Sequence, residues 1–423
     1  MKRTPFPLHL CGVLTLALLL LPLVSEAQQL DYATFISRVM RGNLDYAAAR
    51  LDLSMSQADL TAARRISDPS LSVEYGNNSD WDIAMGRSLS FGLDKSISLG
   101  KRVARIDVAR HQLDATDAGL RHFVQTLRAE ATLAFVDALL ARDLTLIGQE
   151  ALQHIQALYH SDSLRHAAGE LSEIDVVQTR LEAHLAQQDY DALLVQYANA
   201  LVQLDLLMGG DLGGTRAVQG TMAAPARLFD LQQLLEGADT LRMDLVQQHH
   251  LALSAESDLT LLRRERMPDL DLSLGVSLNS RVRNEEAPAP EFVGYTVGVG
   301  IPLPLSNLNR GEVRSGQYRV QQARLQDTLS RRQARSEIMQ AYNSYQSALR
   351  RLAGYNTLIM DNARQVLNGK MYAYQRGETS LLDVISAQHT YNEIRQAYAE
   401  CLHDCLAAWV ELERSAGLWD ISL

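Results

Sequence analysis

Gly169-Glu170-Leu171-Ser172-Glu173-Ile174-Asp175-Val176 and Gly377-Glu378-Thr379-Ser380-Leu381-Leu382-Asp383-Val384 agree at five of eight positions, 208 residues apart. A second pair, Asp59-Leu60-Thr61-Ala62-Ala63-Arg64-Arg65 and Asp258-Leu259-Thr260-Leu261-Leu262-Arg263-Arg264, recurs with an offset of 199, and Pro69 and Pro268 follow at that same offset. Gly209 and Gly417 close the series, again 208 apart. Matches in one order along the chain mean duplication, and the period is far too long for a solenoid. The sequence reads as two fused copies of one unit, residues 28–209 and 241–423. Between them, residues 210–240 hold Gly210, Gly213, Gly214, Gly220 and Pro225, the composition of a loop-rich connector.

Each copy has the same layout. A helical stretch (31–66, then 241–266) leads through Pro into two alternating segments; a very long helical stretch (101–168, then 311–376), the Gly-Glu turn and a last helix (172–208, then 379–416) follow. The alternating segments are 71–78 and 87–99 in the first copy, 270–279 and 292–302 in the second. Leu71, Val73 and Tyr75 alternate with Ser72, Glu74 and Gly76; Leu89, Phe91 and Leu93 alternate with Ser90, Gly92 and Asp94, and Lys95 is the one charge on the apolar side. Leu270 to Leu278 and Val293 to Ile301 repeat the pattern, with Asp, Ser, Asn, Thr and Gly between the apolar positions. Period two makes these strands.

Such strands can pack their apolar face on helices in a small soluble sheet, or turn it to lipid in a transmembrane barrel. The polar, small-residue face suits a wet interior, and closure removes the exposed edges of long alternating strands. Single-chain barrels need about eight strands, so four per chain imply a shared barrel, with two chains giving 8 strands or three giving 12.

The helices set a matching scale. Residues 101–168 contain no Pro, and their only Gly are Gly119 and Gly148. At about 1.5 Å per residue such a helix runs about 100 Å. Leu113, Leu120, Val124, Leu127, Ala131, Ala134 and Ala138 form a seam of coiled-coil period. No single globular core covers a helix that long, so it must pack along its neighbours as a bundle or as the wall of a tube. The N-terminus is a targeting segment: Lys2 and Arg3, an apolar run from Leu10 to Val24, and Ser25-Glu26-Ala27 before a cut. Residues 1–27 are thus expected to be a signal peptide, and the protein to be exported.

Composition excludes other classes. A formal charge of −10 without a basic cluster argues against nucleic acid as a partner, and three Cys, one of them Cys11 in the leader, rule out a disulfide framework.

The exported chain, the duplicated strand–strand–long helix–helix order and Tyr374-Gln375-Arg376-Gly377-Glu378-Thr379-Ser380-Leu381-Leu382-Asp383-Val384 together resemble the TolC family of outer membrane efflux proteins, the outer membrane factors. The resemblance covers essentially the whole mature chain. It implies a mainly α fold with a β-barrel contribution: a homotrimer whose antiparallel coiled-coil helices form an α-helical tunnel in the periplasm, below a shared 12-stranded barrel in outer-membrane lipid. It further implies a passive duct, not an enzyme, with no catalytic residue and no cofactor. Its tips would dock on a periplasmic adaptor (membrane fusion) protein bound to an inner-membrane pump of RND type. The compact size is similar to members serving heavy-metal cation pumps. Carried over by position, Asp383 and Tyr374 belong to the periplasmic gate, and Gly169, Glu170, Arg376, Gly377 and Glu378 to the adaptor-docking tips. Ser386 stands where some members carry a second acidic residue, so one acidic ring is expected, not two. Type I protein secretion uses ducts of this kind as well, and a soluble periplasmic coiled-coil scaffold is the reading in which the strands never meet lipid.

Local motifs add no chemistry. In Cys401-Leu402-His403-Asp404-Cys405 the two thiols share a helix face that His403 does not, which suits packing better than a metal. His249-His250 points two ways, the remaining histidines are dispersed along the chain, and no metal site is expected. Gly298-Val299-Gly300 lacks the third Gly and the following helix of a dinucleotide site.

Overall fold

The computed structural model describes residues 29–77, 86–210, 217–225, 227–303, 308–355 and 357–421. The expected signal peptide lies outside the described residues. The first copy comprises β1 (Gln29–Leu30), α1 (Tyr32–Gly42), α2 (Leu44–Ala63), β2 (Ser70–Asn77), β3 (Arg87–Ile97), α3 (Lys101–Ala167) and α4 (Glu173–Leu207). Then come β4 (Ala217–Val218), α5 (Leu231–Leu241), α6 (Met243–Arg264), β5 (Leu270–Asn279), β6 (Phe292–Gly300), α7 (Arg310–Gly354), α8 (Thr357–Gln375) and α9 (Leu381–Ala416).

Three expected elements are corrected. The helix read over 31–66 is two helices, because Asn43 takes an extended conformation (ψ 123°) and its Oδ1 accepts from the Tyr46 N–H at 2.8 Å, capping α2. The stretch 311–376 is broken after Gly354, with Tyr355 at ψ 73°. The connector read over 210–240 contains most of α5, which follows α1 at the same 199-residue offset as Pro268 follows Pro69. Asp31 and Asp230, again 199 apart, cap α1 and α5 by accepting from the N–H of Thr34 (3.1 Å) and of Gln232 (3.0 Å). The missing sequence signal was this pair of caps, since the surrounding Gly and Pro masked it.

Helix α3 runs unbroken for 67 residues. Its interior glycines are points of close helix approach. A Cβ at Gly119 would sit 2.7 Å from Gln247 Nε2 on α6, and one at Gly148 would sit 2.6 Å from Leu193 Cδ1 on α4. The predicted seam residues are all buried or half-buried. Above the middle of the molecule α3 packs with α2 and α6; below it, with α4 and α9.

The four long strands form one antiparallel sheet in the order β2-β3-β5-β6, so the two copies join through β3 and β5. Register puts Val73 opposite Phe91, Phe91 opposite Val276, and Val276 opposite Tyr295, one apolar row across all four strands. The next row reads Ser72, Gly92, Gly275, Thr296. On this second face Gly and Ser interlock: a Cβ at Gly92 would lie 2.4 Å from Ser72 Oγ, and one at Gly298 would lie 2.3 Å from Ser273 Oγ. The apolar face is open, with Tyr295 80 % and Val297 78 % exposed.

The core lies at mid-height. Phe35, Leu127, Phe135, Leu139 and Leu204 fill it in the first copy; Ile338, Tyr345, Cys405 and Leu412 fill it in the second. β1 pairs with β4 in parallel beside it, so the connector is pinned to the start of the first copy.

Candidate functional site

The two repeated Gly-Glu turns sit at the end of the molecule away from the sheet, and their backbones are built alike. Gly169 (φ 78°) ends α3 and Gly377 (φ 73°) ends α8, conformations that a Cβ disfavours. The Glu170 N–H donates to Arg165 O at 2.9 Å, and the Glu378 N–H donates to Ala373 O at 2.9 Å. These are Schellman closures, which satisfy the last helical carbonyls. Ser172 and Ser380 then cap α4 and α9, accepting from the N–H of Asp175 (3.2 Å) and Asp383 (3.3 Å). The repeated sequence is thus a stop-and-restart signal, and it leaves Gly169, Glu170, Arg376, Gly377 and Glu378 exposed at one tip. The Arg376 guanidinium lies over the Tyr372 ring, 4.6 Å from its centroid, while Arg165 and Glu170 approach to 3.9 Å.

Tyr374 joins the two turns. Its ring packs with Leu381, Val384 and Ile385 of α9 and Leu158 of α3. Its hydroxyl donates to Asp162 Oδ1 of α3 at 3.1 Å, and the Arg165 guanidinium lies 5.2 Å from the ring centroid. Asp162 is fully buried. Burial pushes its carboxyl above the usual carboxylate range against the hydrogen bond of Tyr374 and the charge of Arg165. Burial and the neighbouring Asp162 raise the Tyr374 hydroxyl, which keeps it a donor. Asp162 was missed from sequence. Its signal was a carboxylate at a seam position, following Ile155 and Leu158 at helical spacing.

Asp383 is exposed beside this contact. It accepts from Thr379 Oγ1 at 2.7 Å and faces Lys370 Nζ at 3.8 Å. The Thr379 bond, the Ser380 hydroxyl and Lys370 hold its carboxyl below the ordinary range, so it is charged at neutral pH. A symmetric assembly would repeat this charge around its axis.

Elsewhere Cys401 and Cys405 are buried in the second core, and His403 turns away to Asp137 of α3, Nε2 to Oδ1 2.6 Å, as their helix positions require. That carboxylate raises the His403 pKa above its ordinary value against burial. Folding brings His250 of α6 beside His111 and Asp114 of α3. Sequence missed this because the three residues come from both copies. At mid-height Arg242, also unremarked in the sequence, is buried and donates to Asp244, Glu337 and the Ser415 carbonyl.

Long helices standing on a four-stranded sheet with its apolar face bare, and paired Gly-Glu turns at the far end, are the parts of an outer-membrane channel. The family model described as "Outer membrane efflux protein" matches residues 35–210 and 234–418, and the chain belongs to that family. The cobalt-zinc-cadmium resistance protein CzcC of Cupriavidus metallidurans is similar, 24 % identical over 389 residues that cover 90 % of this chain and 88 % of CzcC. The cation efflux system protein CusC of Escherichia coli K12 is 23 % identical over 86 % of this chain and 81 % of its own. A CusC crystal structure superposes with a TM-score of 0.74 over 92 % of each chain at 20 % identity. The Campylobacter jejuni CmeC outer membrane channel superposes at 0.76, covering 91 % of this chain and 85 % of its own at 14 % identity.

Proposed function

We propose that this protein is the outer-membrane exit duct of a tripartite efflux system for divalent metal ions. Residues 1–27 direct export and are removed. Three copies of the four-stranded sheet close a 12-stranded barrel in outer-membrane lipid, and the helices continue it as a tunnel through the periplasm. A periplasmic adaptor and an RND-type pump engage the tips around Gly169, Glu170, Arg376, Gly377 and Glu378. Asp383 from each copy forms the acidic ring of the closed entrance, and the buried Tyr374–Asp162 bond holds each tip shut. Transport is passive diffusion, and no residue needs a catalytic role.

The observation that carries the duct is the sheet. β2 and β6 have no further strand partner among the described residues, and the apolar rows are bare. A soluble scaffold would have to leave both in water, whereas closure with further copies in lipid satisfies the edges and buries the rows. The cargo rests on the likeness to CzcC and CusC. Disruption of the gene tests it: cells should lose tolerance to zinc, cobalt or cadmium and accumulate the ion. Unchanged metal tolerance with new sensitivity to organic compounds overturns the metal cargo.

A further inference from the structure

We infer that His111, Asp114 and His250 form a binding site for a divalent cation of the Zn2+ class, tying the first copy to the second beside the barrel. One ligand nitrogen from each imidazole and one carboxylate oxygen lie within 4.8 Å of one another. His250 Nδ1 and Asp114 Oδ2 are 4.0 Å apart, and the two imidazole rings stack with centroids 6.5 Å apart. His111 and Asp114 stand three apart on α3, which puts both on one helix face, the spacing by which helical bundles present paired metal ligands. His250 meets them from α6, which packs along α3.

Three observations point to a ligand rather than to chance proximity. The Nδ1 atoms of both His111 and His250 are shielded from solvent, and neither has a hydrogen-bond partner among the described residues. A shielded ring nitrogen without a partner is unfavourable in either tautomer, and a cation would relieve both at once. The neighbouring carboxylates of α3 are already engaged: Asp107 faces Arg110 at 3.8 Å and Asp117 faces Arg121 at 2.8 Å. Asp114 has no arginine or lysine within 4 Å among the described residues, and its one ionic neighbour is His250. Finally, the site opens on one side, because the Asp114 side chain is 45 % exposed, which gives an ion a way in.

Two imidazoles and one carboxylate select Zn2+, Co2+ or Ni2+ over Mg2+ and Ca2+, which favour all-oxygen shells. In a tetrahedral shell donors stand about 3.3 Å apart, so the observed spread closes by side-chain rotation. Each imidazole gives one ring-nitrogen lone pair and keeps its proton on the other nitrogen, Asp114 gives a carboxylate oxygen, and water completes the shell. The inference is independent of the cargo: a duct for organic compounds could carry the same tie, and loss of metal tolerance in cells would not create it.

The test is equilibrium binding to the full-length, tag-free channel purified in detergent and stripped with a chelator. Zn2+ should bind at one equivalent per chain, resist competition by Mg2+ and Ca2+, and raise the melting temperature. Co2+ should give the intense visible absorption of a tetrahedral site. H111A and H250A should each weaken binding about tenfold or more and abolish the thermal shift, while H249A binds like the wild type. D114N, which keeps the side-chain volume, should weaken binding in a chain that still assembles. Absence of saturable Zn2+ binding in the wild type overturns the site, as does wild-type affinity in H250A or D114N. Equal loss in H249A overturns the ligand set.

Discussion

At the scale of single residues the tip holds two carboxylates in opposite environments. Asp162 is buried with its pKa raised, so the folded tip prefers it protonated. Its contribution to stability is complete below the unfolded value near 3.8 and is lost as pH rises through the higher folded value. Mild acid should therefore tighten the latch. Asp162→Asn, which keeps the acceptor for Tyr374, should strengthen protection of the α3, α8 and α9 tip amides against hydrogen exchange at pH 7 and flatten its pH dependence. Weaker protection at pH 7 would show that the charge is needed. Asp383 is exposed with its pKa lowered, so it keeps its charge until pH falls below the ordinary carboxylate value. In planar bilayers Asp383→Asn should lose cation preference and block by multivalent cations at pH 7, and an unchanged block would remove the acidic ring. Asp383 was legible as a tip residue because the duplication marks its position; Asp162 became visible only when α3 met α8.

Among the elements, the two copies use one joint with different chemistry. Gly209 (φ 64°) ends α4 against Gly42, and Gly417 (φ 72°) ends α9 against Leu241, each a backbone contact that a Cβ would block. Asn43 Nδ2 donates to Leu207 O at 3.0 Å, and at the equivalent place Arg242 Nη1 donates to Ser415 O at 3.2 Å. Arg242 also reaches Asp244 (2.6 Å) and Glu337 (2.7 Å). Burial pushes the Asp244 carboxyl up, but Arg242 holds it below the usual range, which marks a working pair. Arg242→Ala strands the part-buried Asp244 carboxylate and should cost about 1–3 kcal/mol, against about 0.5–2 kcal/mol for removal of the Asn43 cap. Thermal melting of the detergent-solubilised assembly ranks them; equal losses would mean that the charged joint adds nothing over the neutral one. Gly354 shows what sequence could not weigh at this scale. Gly119 and Gly148 sit inside an unbroken helix where α6 and α4 side chains fill the space of a missing Cβ, whereas α7 ends at Gly354.

Over the whole molecule, the apolar surface that matters lies on strands. Among the described residues no helix is long and apolar enough to cross a membrane. The membrane-facing surface is the set of rows through Leu71, Val73, Tyr75, Phe91, Leu274 and Tyr295, all exposed in the single chain. An arginine on this face near mid-strand should cost about 2–4 kcal/mol. Phe91→Arg should therefore deplete the protein from the outer membrane, while Ser90→Arg on the opposite, wet face should leave the yield near wild type. Immunoblots of membrane fractions decide, and equal depletion by both would mean that the sheet does not divide lipid from lumen.

Periodicity and duplication, local properties that the amino-acid order carries directly, determined the strands, the long helices, the repeated tip turns and the sharing of a barrel among chains. Tertiary structure alone decided which interior glycines are points of close approach, as Gly119 is against Gln247 and Gly148 against Leu193. It alone brought Tyr374 to Asp162 and His250 to His111 and Asp114. Those partners come from different copies, and no period along the chain connects groups that meet only when α3 packs against the second copy's helices.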